Sequence, residues 1–123
     1  MQVNNAQSFN FTFMKTDWEK LQEQLTERFG HEMEIADILF LIGVQELGKM
    51  DKKFKKDDKV NLIHIAICTL LEPYGYYSFE GRDADGWPHW SLNEKLPSLD
   101  ARQQNRLIHE ATLEYFRRTG FID

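Results

Sequence analysis

Apolar residues recur every three or four positions in four segments of the chain, which is the spacing of amphipathic helices. The first predicted helix is Asp17 to Phe29. Thr16 opens it with a Thr-x-x-Glu capping box, and Gly30 is available as its left-handed terminator. A second helix is predicted from about Glu34 to Lys49. Its length distinguishes it from a buried strand.

The third and fourth predicted helices are also delimited by local signals. Asp57 or Asp58 is expected to cap the third helix, which must stop just before Pro73 because proline disfavours helical geometry in the residue preceding it. The fourth helix is expected to begin with Ser98 as its N-cap and to end at Gly120.

Two segments show strand patterns instead. Residues Phe9 to Phe13 alternate phenylalanine with polar residues, which predicts a short strand with one buried face. Residues Tyr76 to Leu92 contain two aromatic runs on either side of the turn sequence Asp83 to Gly86, which predicts a β-hairpin. Pro88 confines the second strand of that hairpin to a sheet edge.

These elements predict a mainly α (α+β) fold in a single domain spanning residues 1–123, with residues 1–7 expected to be flexible. Four helices form the core, helices 2 and 3 are central, and the N-terminal strand and the aromatic hairpin form a small antiparallel sheet. Both central helices are apolar on almost every side, so they need cover from several directions. Leu41 lies within the narrow polar stripe of helix 2, which suggests an interface there.

Composition narrows the class of protein. A chain of 123 residues with 9 Phe, 4 Tyr and 3 Trp is not a disordered polymer, and its single Cys excludes an internal disulfide. The net charge of −5 argues against nucleic-acid binding, and the segment Lys49 to Lys59 is interpreted as a solvated loop. The longest apolar stretches are too short for a membrane span and no secretory signal is visible, so the protein is expected to be soluble and cytoplasmic.

The hairpin concentrates the residue types that are enriched at binding sites. Its rings supply anchor surfaces, and its arginine and histidine supply hydrogen-bond donors. The candidate binding residues are Tyr76, Tyr77, Arg82, Asp83, Asp85, Trp87, His89 and Trp90. The structural alternative, which we favour, is that the rings cover a small core and the aspartates build the turn.

A second candidate is the polar cluster of His64, Cys68 and Glu72, which are spaced by four on helix 3 and therefore share one face. His109 on helix 4 could complete it. Zinc ligation and thiolate activation both need features that the sequence lacks, so no metal, cofactor or catalytic residue is predicted. A hydrogen-bonded margin of a buried helix is the simpler interpretation.

Three functions remain open. The leading hypothesis is a non-enzymatic protein-interaction module that acts as a homodimer, because the central helices carry more apolar surface than one small chain covers. The second is a small enzyme or ligand-binding domain with a pocket between the 76–92 hairpin and helices 3 and 4. The third is weak nucleic-acid binding through the lysine segment and the hairpin rings.

Overall fold

The computed structural model describes residues 15–48, 54–93 and 98–122. The helices are α1 Asp17–Phe29, α2 Ile35–Leu47, α3 Lys56–Leu71 and α4 Ala101–Arg118, a 3₁₀ turn Glu72–Tyr74 follows α3, and the strands are β1 Tyr77–Arg82 and β2 Pro88–Leu92. The prediction of a mainly α fold with a small antiparallel sheet is confirmed. The predicted strand at Phe9 to Phe13 and the predicted flexible residues 1–7 lie outside the described residues.

The predicted limits of α1 are confirmed. The Thr16 hydroxyl accepts a hydrogen bond from the Glu19 backbone N–H at 3.1 Å, and the Glu19 carboxylate accepts one from the Thr16 N–H at 3.0 Å. Gly30 ends the helix with φ +82°, a backbone conformation that costs glycine little. Gly48 ends α2 in the same way at φ +80°, so this helix stops at Leu47, short of its predicted limit.

The start of α3 differs from the prediction. Lys55 is the N-cap, and neither Asp57 nor Asp58 occupies that position. Asp58 lies in the first turn, where its carboxylate accepts the Lys55 backbone N–H at 3.0 Å. The aspartate therefore satisfies an amide from inside the helix, as the third residue of a capping box does. The loop interpretation was also too long, because Lys56 and Lys59 belong to α3.

The start of α4 is corrected too. Asp100 is the N-cap, not Ser98: its carboxylate accepts the Gln103 N–H at 2.8 Å, while the Gln103 side chain accepts the Asp100 N–H at 3.0 Å. This reciprocal pair satisfies two amides, whereas a single serine hydroxyl at an N-cap satisfies one. At the other end Gly120 adopts φ +82°, as its position predicts.

The buried side chains form two cores. The main core is built by all four helices and by Met33 in the connection between α1 and α2: Leu21, Leu25, Met33, Ile38, Leu39, Ile42, Ala66, Leu70, Ala111, Tyr115 and Phe116. A second core joins the C-terminal half of α2 to the middle of α3 and is made of Val44, Leu47, Leu62 and Ile65. Both central helices contribute side chains to both cores, and α1, α4 and the hairpin pack against these cores.

The hairpin is amphipathic. Tyr77 pairs with Leu92 and Phe79 pairs with Trp90, so these four side chains share one face of the two strands. That face is directed at the helices, because Trp90 packs against the second core. A register shift between Phe79 and Gly81 marks a bulge. The sheet therefore has an apolar inner face that the helices must cover.

Candidate interaction groove

A groove of about 600 Å³ opens between α3, the hairpin and the beginning of α4. Most of its lining is aliphatic or aromatic, and the rest is uncharged and polar. The lining residues are Ile67, Leu71, Tyr76, Tyr77, Leu92, Asn93, Ser98, Leu99, Gln104, Leu107 and Ile108. None of these described residues carries a charge. The groove lies where the sequence suggested a pocket between the 76–92 hairpin and helices 3 and 4.

Helical spacing explains two walls of the groove. Ile67 and Leu71 are four residues apart on α3, and Gln104, Leu107 and Ile108 follow one face of α4. Ile67, Leu71 and Ile108 also pack against the main core while remaining partly exposed. The groove floor is therefore the edge of the main core, and it is part of the apolar surface of α3 that the described residues leave open.

The apolar surface continues beyond the groove onto the hairpin. The side chain of Leu92 is 60% exposed and that of Phe79 is 48% exposed, although both lie on the inner face of the sheet. We call these two residues the lip of the groove. Val60, which is 68% exposed on α3, does not line the groove and provides a reference for an isolated exposed apolar residue.

Two of the polar residues that line the groove, Asn93 and Gln104, have hydrogen-bond partners within the fold. The Asn93 side chain donates to the Gly75 carbonyl at 3.1 Å, and the Asn93 N–H donates to the Tyr76 carbonyl at 2.9 Å. The Gln104 amide donates to the Leu99 carbonyl at 3.0 Å. These side-chain amides are therefore engaged within the fold. The interaction that the groove can make with a ligand is mainly apolar contact.

Two of the predicted binding residues, Trp87 and Trp90, cover the second core together with Phe40 and Phe54. The Trp90 indole N–H also donates to the Glu72 carboxylate at 3.3 Å. The tryptophans thus have the covering role of the structural alternative, while Tyr76 and Tyr77 line the groove.

Arg82 joins the hairpin to the end of α2. Its guanidinium donates to the carbonyl oxygens of Glu46 at 2.8 Å, Leu47 at 3.3 Å and Gly86 at 2.9 Å. The last carbonyls of a helix have no partner within the helix and carry partial negative charge, so a cation stabilises them. Arg82 is thereby engaged within the fold.

Asp83 organises the turn. One carboxylate oxygen accepts the N–H groups of Asp85 at 2.9 Å and Trp87 at 3.0 Å, and the other lies 2.9 Å from the His89 ring nitrogen Nε2. The His89 hydrogen bond, followed by the Trp87 N–H, lowers the pKa of Asp83. Asp83, Asp85 and His89 therefore build the bend between the strands.

The polar positions of α3 include a buried thiol. The Cys68 Sγ lies 3.5 Å from Nε2 of the exposed His64, and the His64 ring meets the Tyr77 ring edge-on with centroids 6.3 Å apart. Burial raises the pKa of Cys68 to about 11. A thiol with that pKa is almost entirely protonated at neutral pH, so it is a poor nucleophile and a poor metal ligand.

His109 makes a different contact. Its ring stacks on Trp18 of α1 with centroids 4.1 Å apart and planes 5° from parallel, and burial lowers its pKa. His64 contacts the hairpin, whereas His109 contacts α1. Within residues 15–48, 54–93 and 98–122, no three His, Cys, Asp or Glu side chains are placed to hold a metal ion. Leu41, the predicted interface residue, is half-buried and packs against the main core.

The candidate residues predicted from the sequence do not include the aliphatic residues of the groove, because those predictions selected aromatic, charged and other polar side chains of the hairpin and of helix 3. A signal was present in α3, which is apolar on almost every side and therefore has more apolar surface than its neighbours cover. Locating the open part required knowing where the hairpin crosses that helix.

No family model, curated protein or solved structure matches this chain. None of the helices in the described part of the chain is long and apolar enough to cross a membrane.

Proposed function

We propose that the protein is a non-enzymatic interaction module and that two copies associate through the groove and its lip. The observation that carries the proposal is the continuity of an uncharged, largely aliphatic groove with the half-exposed side chains of Phe79 and Leu92. Contiguous exposed apolar surface marks interaction sites more often than scattered single residues do.

A second copy is the partner because each chain carries both halves of such a contact. In a two-fold dimer the same surface meets itself, so the lip of one copy faces the groove of the other. Phe79 supplies an aromatic anchor, a residue type common at the centres of interfaces. The patch is smaller than the roughly 20–30 residues per side of a standard interface, so we expect a weak dimer with a micromolar Kd.

The buried thiol supports a role without catalysis. The Cys68 Sγ lies 3.5 Å from Nε2 of His64, but burial raises the pKa of Cys68 to about 11, so the thiol is almost entirely protonated at neutral pH and a poor nucleophile. Hydrogen bonds within the fold also occupy the guanidinium of Arg82 and the carboxylate of Asp83. Apolar contact is then the main interaction that the groove offers.

Sedimentation equilibrium of the full chain tests the proposal, over about 5–500 µM to bracket the expected Kd. Leu92→Asp places a charge on the lip and should weaken association at least about tenfold, since a buried unpaired charge is costly. Val60→Asp is the matched control, because Val60 is exposed outside the groove. A wild-type chain that remains a 14.6 kDa monomer throughout this range would refute self-association.

A second candidate function is binding of an uncharged apolar small molecule. The volume of about 600 Å³ lies within the roughly 300–1,000 Å³ of small-molecule sites. Saturable binding of a neutral aromatic dye to the monomeric chain, abolished by Leu107→Asp on the groove wall and retained by Val60→Asp, would favour this function over self-association.

A further inference from the structure

We infer that the groove also binds a basic amphipathic helix of another protein, which displaces the second copy. The inference rests on the proposed function, since it takes the groove as a docking surface. It adds the chemistry of a partner: apolar side chains that fill the groove, and lysine or arginine side chains that meet two carboxylates beside it.

Two glutamates of α4 extend one wall of the groove. Glu110 and Glu114 follow Leu107, which lines the groove, by three and seven residues, so the three side chains form one row along the helix. Both glutamates are exposed, and we call them the acidic rim. The acidic rim continues the apolar wall by about 5–10 Å, or one to two helical turns.

Tyr74 connects the acidic rim to the opposite wall of the groove. It follows Leu71, a lining residue at the end of α3, by three positions, and its hydroxyl donates a hydrogen bond to the Glu114 carboxylate. Burial, this hydrogen bond and the charges of Glu114 and Glu110 raise the pKa of Tyr74 to about 12. Both carboxylates of the acidic rim therefore lie close to the end of α3, beside the groove.

The charge of the acidic rim is not neutralised by an ion pair within the described part of the chain. Arg106 precedes Glu110 by four residues, but these two side chains form no ion pair in the described structure. At about 100° per residue, Arg106 is turned by about 100–160° away from Leu107 and Ile108. The cations of a partner can therefore reach carboxylates that the described fold leaves without a counterion.

The walls of the groove favour a helical partner. Ile67 and Leu71 on α3, and Leu107 and Ile108 on α4, present apolar side chains at helical spacing. A further helix can pack its own apolar row between two such rows, and amphipathic helices commonly bind grooves in this way. The two carboxylates of the acidic rim are one turn apart, so basic residues spaced by four on the partner match them.

The lip of a second copy matches the groove but not the acidic rim. Phe79 and Leu92 are uncharged, and Phe79 is followed by the exposed Glu80, which carries the same charge as the acidic rim. Opposite charges across an interface favour a partner, whereas like charges disfavour it. A basic helix should therefore bind more tightly than the second copy and convert the dimer into a complex of one chain with one helix.

Calorimetric titration of the full chain tests the inference with a peptide of about 14 residues, or about four helical turns. It consists of leucine and lysine, and its leucines recur every three or four positions. A second peptide keeps the leucines and has glutamate in place of every lysine. Wild type should bind the lysine peptide saturably and the glutamate peptide at least about tenfold more weakly, because like charges then oppose the acidic rim.

Glu110→Gln and Glu114→Gln combined should weaken binding of the lysine peptide about fivefold, as expected for two partly exposed ion pairs. Glutamine at position 114 keeps an acceptor for the Tyr74 hydroxyl, and Glu110→Gln alone, which leaves that hydrogen bond intact, should have an intermediate effect. The matched control is Glu23→Gln with Glu27→Gln, an exposed pair spaced by four on α1 outside the groove. It changes the net charge equally and should bind the peptide as wild type does.

Leu107→Gln tests the apolar half of the contact. It should weaken binding of the lysine peptide at least about tenfold, because the peptide leucines lose an apolar partner. Val60→Gln, at an exposed position outside the groove, is its control and should bind as wild type does. Circular dichroism checks that each variant is folded.

Several results would overturn the inference: no binding of the lysine peptide to wild type, equal binding of the two peptides, or equal effects of the acidic-rim variant and its α1 control. Unchanged binding by folded Leu107→Gln would do so too. Specific peptide binding by a chain that sediments as a monomer at every concentration would support the inference and reject the proposed self-association. A dimer that binds no peptide would support self-association and overturn the inference.

Discussion

Gly43 and Leu62 bring α2 and α3 into backbone contact. A Cβ atom built on Gly43 would lie 2.0 Å from the carbonyl oxygen of Leu62, well inside contact distance. Backbone atoms of Leu62 cannot move aside as the end of a flexible side chain can. The absent side chain of Gly43 therefore sets the spacing of the two central helices and, through them, of both cores.

Gly43→Ala should destabilise the protein by about 2 kcal/mol or more. Alanine favours a helix by about 1 kcal/mol over glycine, but forcing the helices apart costs more than that gain. Urea unfolding followed by circular dichroism measures the difference. Gln45→Ala, at an exposed site of the same helix, should change the free energy of unfolding little. A Gly43→Ala protein as stable as wild type would show that the helices tolerate a wider spacing.

Arg82→Met should cost about 1–2 kcal/mol, because it removes charge-assisted hydrogen bonds to the Glu46 and Leu47 carbonyls while keeping an aliphatic stem. Amide hydrogen exchange should accelerate in the hairpin and in the last turn of α2. Arg106→Met, at an exposed position of α4, is the control. Unchanged exchange in both places would contradict the tethering role of Arg82.

Local rules predicted the elements and failed at some of their ends. Thr16 and Gly30 were recognised because each signal is local: Glu19 completes the capping box three residues after Thr16, and Gly30 directly follows the last helical residue. Lys55 was missed as an N-cap because its own side chain is a poor cap, and the bond that defines this helix start comes from Asp58.

The site was harder to predict because its residues come from distant parts of the chain. Helical periodicity shows that Leu71 and Ile108 lie on apolar faces of their helices, but it cannot show which part of such a face another element leaves open. Arg82 was predicted as a binding donor, although its partners Glu46 and Leu47 lie about 35 residues earlier. Only the packing of the hairpin on α2 shows that this donor is occupied.

His109 makes stability depend on pH. Burial lowers its pKa below the ordinary value of 6.5, so the unfolded chain binds a proton more readily than the folded chain does. Its contribution is therefore complete above pH about 6.5 and is lost as the pH falls from there through the lowered pKa. Thermal unfolding between pH 8 and pH 5 measures the slope.

His109→Gln should flatten that slope, while lowering stability at every pH because the stack on Trp18 is lost. His31→Gln is the control, since His31 is exposed. Equal slopes for wild type and His109→Gln would place the pH dependence elsewhere.

Cys68 should react slowly with thiol reagents in the folded protein. At pH 8 a pKa of about 11 leaves about one thiol in a thousand as thiolate, compared with about a quarter at the ordinary pKa of about 8.5. Burial of the side chain also limits access. Alkylation by iodoacetamide should therefore be at least about 100-fold slower in buffer than in denaturing urea.

Val60→Cys supplies an exposed thiol outside the groove in the same chain as an internal reference. Mass spectrometry of the singly labelled product should find the label at position 60. Rapid native labelling of Cys68 would mean that α3 opens on the timescale of the reaction, and the thiol would then have to be considered as a reactive group beside His64.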